Sequence, residues 1–175
     1  NSYFYTDAWK PDGSYALIGG SQGSLYKVME YDGVSFSAIP TGISDPLYRI
    51  SWKPDGSYAL LVEGYVSGSL VGKAFTYDGV NFAPVSSGLN YYFQDVAWKP
   101  GGSWALVPCY DYGLIYNFTG SGFILLFNGT STLGGVAFNS AFWRPDGALA
   151  FIVGEVGTVV EYYGSTLAPL SPSFV

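Results

Sequence analysis

The sequence predicts an all-β chain built from four copies of one unit, on three observations. A Trp-basic-Pro-x-Gly marker recurs at intervals of 43, 46 and 45 residues. A second marker, Tyr-Asp-Gly in its clearest form, follows each of the first. No segment carries a helical period: the apolar runs are short and punctuated by glycine.

The first unit contains Trp9-Lys10-Pro11-Asp12-Gly13, then the apolar run Ala16-Leu17-Ile18, then Tyr31-Asp32-Gly33 and Phe36. The second repeats it as Trp52-Lys53-Pro54-Asp55-Gly56, Ala59-Leu60-Leu61, Tyr77-Asp78-Gly79 and Phe82. The third diverges: Trp98-Lys99-Pro100-Gly101-Gly102 lacks the aspartate, and Phe118-Thr119-Gly120 replaces the second marker. The fourth runs Trp143-Arg144-Pro145-Asp146-Gly147, Ala150-Phe151-Ile152 and Tyr162-Tyr163-Gly164. Proline presets φ for the first turn position, and Asp-Gly supplies a residue that tolerates positive φ. Asp-Gly between apolar runs signals a hairpin. Each unit therefore reads as four strands. The first ends at the Trp, the second is the Ala-Leu segment, the third leads into the second marker, and the fourth carries Ile39, Val85, Leu126 or Leu170.

Four-stranded units of this length point to a β-propeller of four four-stranded antiparallel blades. A β-solenoid has shorter coils; a β-sandwich of duplicated hairpins is the other alternative. The expected division is one propeller domain over residues 1–175, with blades at about 1–45, 46–90, 91–135 and 136–175. The Trp-x-Pro-Asp-Gly turn followed by an apolar strand resembles the PD40, or TolB-like, branch of the WD40-like propellers. That resemblance spans all four units and implies that Pro-Asp-Gly joins the innermost strand to the second. The Gly-His and Trp-Asp dipeptides of true WD40 repeats are absent, as is the Ser-x-Asp-x-Gly-x-x-Trp box of sialidase-type blades. Each blade would be contiguous, with no terminal strand exchanged to latch the ring. Three arrangements are open: closure by side-chain packing, part of a larger ring, or completion between chains. The chain starts at Asn1 rather than Met, which suggests processing, trimming or a fragment, and allows a removed signal peptide.

Composition bounds the function. Hydrophobic residues make up 49% and aromatics 19%, but charged residues only 11%, against about 25% in ordinary domains. Sixteen tyrosines supply much of the polarity. A net charge of −6 with seven basic residues argues against nucleic acid, which needs clustered cations. No apolar run approaches the roughly 20 residues of a spanning helix, so no membrane insertion is expected. The absence of histidine removes Ser-His-Asp and Cys-His systems and the usual zinc sites. The single Cys109 reads as a small buried apolar residue. Two arginines, Arg49 and Arg144, cannot make an arginine triad. No acid outside the turns stands out by motif, and Gly101 breaks any ring of four turn carboxylates. No catalytic residue, metal ligand or cofactor is expected.

The marker residues carry two readings each. Trp9, Trp52, Trp98 and Trp143 read as inter-blade packing, with a carbohydrate-stacking ring as the alternative. Lys10, Lys53, Lys99 and Arg144 could hold an anion near the axis, or each could pair with a turn aspartate. Asp12, Asp55 and Asp146 are explained as turn residues. Asn117-Phe118-Thr119 and Asn128-Gly129-Thr130 match the N-glycosylation acceptor pattern. The resulting expectation is a non-catalytic structural or self-assembling module, extracellular or at the cell surface. Its partner would be protein, in the first place itself as homo-oligomer or polymer. A lectin-like glycan- or peptide-binding module is the alternative, and a glycoside hydrolase-type enzyme the remote one, which would need two acids about 5–9.5 Å apart.

Overall fold

The computed structural model describes residues 2–22, 25–43, 45–64, 72–85, 89 and 91–170. These residues form sixteen strands in four separate antiparallel sheets, each made of four consecutive strands in sequential order. Blade one is β1 (Ser2–Trp9), β2 (Ala16–Gln22), β3 (Leu25–Tyr31) and β4 (Phe36–Ile39). Blade two is β5 (Leu47–Trp52), β6 (Ala59–Glu63), β7 (Ala74–Tyr77) and β8 (Phe82–Val85). Blade three is β9 (Ala97–Trp98), β10 (Ala105–Pro108), β11 (Leu114–Phe118) and β12 (Phe123–Asn128). Blade four is β13 (Phe138–Trp143), β14 (Ala150–Gly154), β15 (Val159–Tyr162) and β16 (Leu167–Leu170). The fold is a β-propeller of four contiguous blades.

The markers build the hairpins. Lys10 N–H donates to Tyr15 O at 2.9 Å, and Gly13 N–H donates back to Lys10 O at 2.9 Å, with Gly13 at φ +73°. The first of these bonds recurs from Lys53 to Tyr58, from Lys99 to Trp104 and from Arg144 to Leu149. It therefore aligns Tyr15, Tyr58, Trp104 and Leu149 as one position. Asp12 Oδ1 accepts Ser14 N–H at 2.9 Å, and Asp55 and Asp146 act alike on Ser57 and Ala148. In the second hairpin, Asp32 Oδ1 accepts the N–H groups of Val34 and Ser35 at 2.8 and 2.7 Å. Tyr31 OH donates to Gly33 O, as do Tyr77 to Gly79 and Tyr162 to Gly164. These bonds explain why tyrosine precedes the turn.

Register shifts in blades one, two and four fall between Phe4 and Thr6, Leu47 and Arg49, and Phe138 and Ser140. Each lies on the innermost strand, a few residues before the Trp, where a bulge bends that strand. Blade three departs from this pattern. Its inner strand shortens to Ala97–Trp98, and Phe93 pairs with Cys109 as an isolated bridge ahead of it.

The core lies between blades. One buried cluster joins blades one and two around Leu17, Ile50, Trp52 and Leu61. A second joins blades two and three around Leu60, Phe93, Trp98 and Phe118. A third joins blades three and four around Leu106, Ile115, Phe138 and Ile152. The outermost strands lie largely exposed, as β4 and β12 show.

Candidate functional site

The three internal seams share one construction. In each, the residue after the first turn of one blade meets the marker Trp of the next blade edge-on. Tyr15 meets Trp52 at 5.6 Å, Tyr58 meets Trp98 at 5.6 Å, and Trp104 meets Trp143 at 5.1 Å. Edge-to-face pairs in this range contribute about 0.5–1.5 kcal/mol beyond their buried area. Trp98 Nε1 donates to Ser51 O at 3.0 Å and Trp143 Nε1 to Ala97 O at 3.1 Å, each an inner-strand carbonyl of the preceding blade. Trp52 Nε1, in the first seam, is buried without such a partner. Each marker Trp also leans on the third-strand aromatic of its own blade: Trp52 on Tyr77, Trp98 on Phe118 and Trp143 on Tyr162.

Side chains on or just ahead of the inner strands tie the seams. Thr6 Oγ1 accepts Ile50 N–H at 3.0 Å across the first seam. Across the third, buried Asp95 accepts Ala141 N–H at 3.0 Å and the Ser140 hydroxyl at 2.6 Å. Arg49 holds the other Asp95 oxygen at 2.8 Å, so one carboxylate links blades two, three and four.

The four basic marker residues are already engaged. Lys10 pairs with Asp12 at 3.1 Å, Lys53 with Asp55 at 2.6 Å and Arg144 with Asp146 at 2.7 Å. Hydrogen bonds from Ser14, with help from Lys10, hold the Asp12 carboxyl down at about 2. Lys99, which faces Gly101 rather than an aspartate, rests over the Trp104 and Trp143 rings at 5.7 and 5.6 Å. Lys10 likewise lies over Tyr15 and Trp52. Three of the four cationic heads thus pair with turn aspartates, and Lys99 lies over ring faces.

The two glycosylation motifs differ. Asn117 sits within β11 next to fully buried Phe118, and its Oδ1 is buried. Asn128 is exposed at the end of β12, where its Oδ1 accepts Thr130 N–H at 3.0 Å. Cys109 is buried, and burial pushes its thiol well above the ordinary range. Glu63 is a buried acid that no motif announced. Desolvation raises it to about 7, against the pull of Lys73 at 3.3 Å, which also pairs with Asp45. Asp12, Asp32, Asp55, Asp78 and Asp146 all stand on turns. Among the described residues, no three His, Cys, Asp or Glu side chains gather as a metal site.

The open surface is on blade one. Trp9 is 52% exposed, whereas Trp52 and Trp98 are 6% and 9% exposed. Trp52, Trp98 and Trp143 each meet an aromatic of the preceding blade, whereas the ring contact of Trp9 is with Tyr31 of its own blade. With Tyr31 and Phe36 it forms an uncovered aromatic platform, Trp9 to Tyr31 at 6.3 Å and Tyr31 to Phe36 at 4.7 Å. This platform floors a groove of about 560 Å³ that Phe4, Tyr5 and Asp7 also line. Sequence reasoning treated the four copies as equivalent. The aromatic run Tyr3-Phe4-Tyr5 just ahead of Trp9 was the signal that could have separated them.

No family model matches the sequence, and no curated protein matches it. Solved structures do. The structure of putative TolB from Agrobacterium tumefaciens superposes with a TM-score of 0.70 at 16% identity, over 98% of this chain and 63% of that one. The Cps50 (Swd1) β-propeller domain of Myceliophteria thermophila gives 0.65 at 14% identity, over 93% and 54%. The GH74 enzyme of Niastella koreensis gives 0.71 at 15% identity, over 90% and 29%. The chain thus spans less than two thirds of the length of each of these structures. At these identities the likeness establishes the propeller fold.

Proposed function

We propose that this four-bladed propeller chain is a non-catalytic structural module that works by self-association through its blade faces. The observation that carries this reading is the contrast at the marker Trp: roofed by a neighbouring blade at Trp52 and Trp98, half exposed at Trp9. An aromatic surface shaped to be covered favours protein contact, where aromatics are enriched. The low charge density of the chain removes much of the repulsion that keeps copies apart. Light scattering over a concentration series tests it. A mass above the 18.8 kDa of one chain is the expected result; a monomer at every concentration overturns it.

The same platform supports a second reading, a lectin-like site in which Trp9 stacks on a sugar ring and Asp7 binds its hydroxyls. A glycan array with no binding, for protein whose Trp9 remains open to a fluorescence quencher, eliminates that reading. The hydrolase reading has less support: Asp12, Asp32, Asp55, Asp78 and Asp146 stand on turns of three blades, and the groove at Trp9 is lined by one acid, Asp7. An extracellular or cell-surface location accords with the low share of charged residues and with Asn128 standing open as an acceptor. A mobility shift on deglycosylation after secretory expression, lost in Asn128→Gln, is the expected result.

A further inference from the structure

We propose that the seam between blades one and two carries a binding site for a neutral oligosaccharide, built on Tyr5, Pro46 and Tyr48. Tyr5 belongs to blade one, and Pro46 and Tyr48 to blade two. Both walls therefore lie in the first internal seam, and the site needs no contact at the uncovered face of blade one that carries Trp9.

The position follows from the repeat. Five residues before each marker Trp stand Phe4, Leu47, Phe93 and Phe138. Each pairs across to the second strand of its blade or, for Phe93, to the residue just past it. The next residue is Tyr5, Tyr48, Gln94 or Asn139. In blades one, two and four it is the residue that the register skips, and a bulge of this kind re-aims a side chain. Tyr5 and Tyr48 stand 49% and 40% exposed, Asn139 is exposed and Gln94 is half-buried. The residue after it returns to a seam: Thr6 accepts Ile50 N–H, Arg49 holds Asp95, and Asp95 accepts Ala141 N–H. One position on or just ahead of each inner strand is thus open, between neighbours that the seams use.

The two rings are held in place. Tyr5 OH lies 3.3 Å from the Oγ of buried Ser21. Tyr48 lies against Gly64, where a methyl would overlap its ring. With Pro46 they line a groove of about 400 Å³, within the range of small-ligand sites. Rings already fixed lose little freedom when a ligand settles on them.

The side chains select the ligand. A tyrosine offers an apolar face to the C–H face of a pyranose and a hydroxyl to its edge. Gln94 and Asn139 continue the row in blades three and four with amides, which donate and accept as sugar hydroxyls do. None of the four positions is charged, and among the described residues no charged side chain lines the groove, so a neutral sugar fits better than an acidic one. A proline-rich segment also rests on aromatic grooves. It brings carbonyl acceptors without donors, however, and leaves the amide oxygens unmatched.

Titration calorimetry of the intact chain tests the site, with cello-, malto- and galacto-oligosaccharides, an oligogalacturonate and polyproline as probes. At least one neutral oligosaccharide should bind, and more tightly than the uronate. Tyr5→Ala and Tyr48→Ala should each weaken it about tenfold, the loss of one stacked ring. Tyr48→Phe, which keeps the ring over Gly64, should weaken it about threefold. Asn139→Ala alters an exposed side chain and serves if Tyr48→Ala does not fold; it should weaken longer oligosaccharides more than disaccharides. Trp9→Ala should leave affinity unchanged. Sugar binding lost in Trp9→Ala and kept in Tyr5→Ala overturns this site while leaving the sugar-stacking reading of the Trp9 platform standing. Tighter binding of the uronate, binding of polyproline alone, or no binding of any probe overturns the site as well, and self-association is decided separately by light scattering.

Discussion

Trp98 and Trp9 are copies of one residue in one motif, and they live in different environments. Trp98 is 9% exposed, donates to Ser51 O and packs between Tyr58 and Phe118. Trp9 ends its own inner strand and precedes the corresponding turn, yet its ring contact among the described residues is with Tyr31 of its own blade, and it stands 52% exposed. The motif therefore fixes the hairpin, and the neighbouring blade fixes the fate of the Trp. In a repeat architecture, stability divides into terms within a unit and terms between neighbours. These two tryptophans separate the terms within one molecule.

The largest expected effect breaks the comparison directly. Trp98→Ala removes a ring buried in a seam and should cost about 3–5 kcal/mol, the range for large aromatic truncations in cores. Trp9→Ala should change monomer stability by no more than about 0.5–1 kcal/mol, as surface substitutions do. Urea unfolding of both variants, at a concentration too low for association, measures the difference. Equal losses would mean that the marker Trp acts within its own blade.

A smaller effect isolates the seams from the interior of a blade. Glu63 lies in blade two, and burial raises its carboxyl from 4.5 to about 7. The folded protein therefore holds a proton that the unfolded chain releases. Stability from this group is full below about 4.5 and falls as pH rises to about 7. Glu63→Gln should flatten that decline and gain about 2 kcal/mol at pH 8, less than the full shift because Lys73 then loses one of its two acidic partners. Thermal melts at pH 5 and pH 8 check it. Trp9→Ala should leave the slope unchanged, since Trp9 lies in another blade.

The hairpins were legible in the sequence because their chemistry is local. Pro11-Asp12-Gly13 and Tyr31-Asp32-Gly33 form their bonds within a few residues, so composition and spacing reveal them. The four-stranded blades follow from those turns. What was not legible depends on contacts between units. Asp95 reaches residues 45 and 46 positions away in blade four, and nothing around it in sequence sets it apart. Glu63 owes its burial to the packing of β6, and its partner Lys73 stands just ahead of the next strand. The exposure of Trp9 was hidden by the repeat itself, since identical motifs imply identical surroundings. The basic markers were legible as one set, but the same spacing fitted an anion ring and a set of turn pairs equally.

The smallest effect ties the open end to the closed seams. Gly102 and Gly13 share a turn position and φ values of +70° and +73°. Alanine in that region is strained by about 1–2 kcal/mol wherever it occurs, so both variants lose that much. Gly102→Ala should lose a few tenths more, because its new methyl meets Pro54 at 3.3 Å, while the methyl of Gly13→Ala meets nothing within 4 Å. Unfolding in dilute solution should therefore rank Gly102→Ala below Gly13→Ala. Equal losses would mean that Pro54 yields to the new methyl and that the turn of blade two does not hold the seam closed at that point.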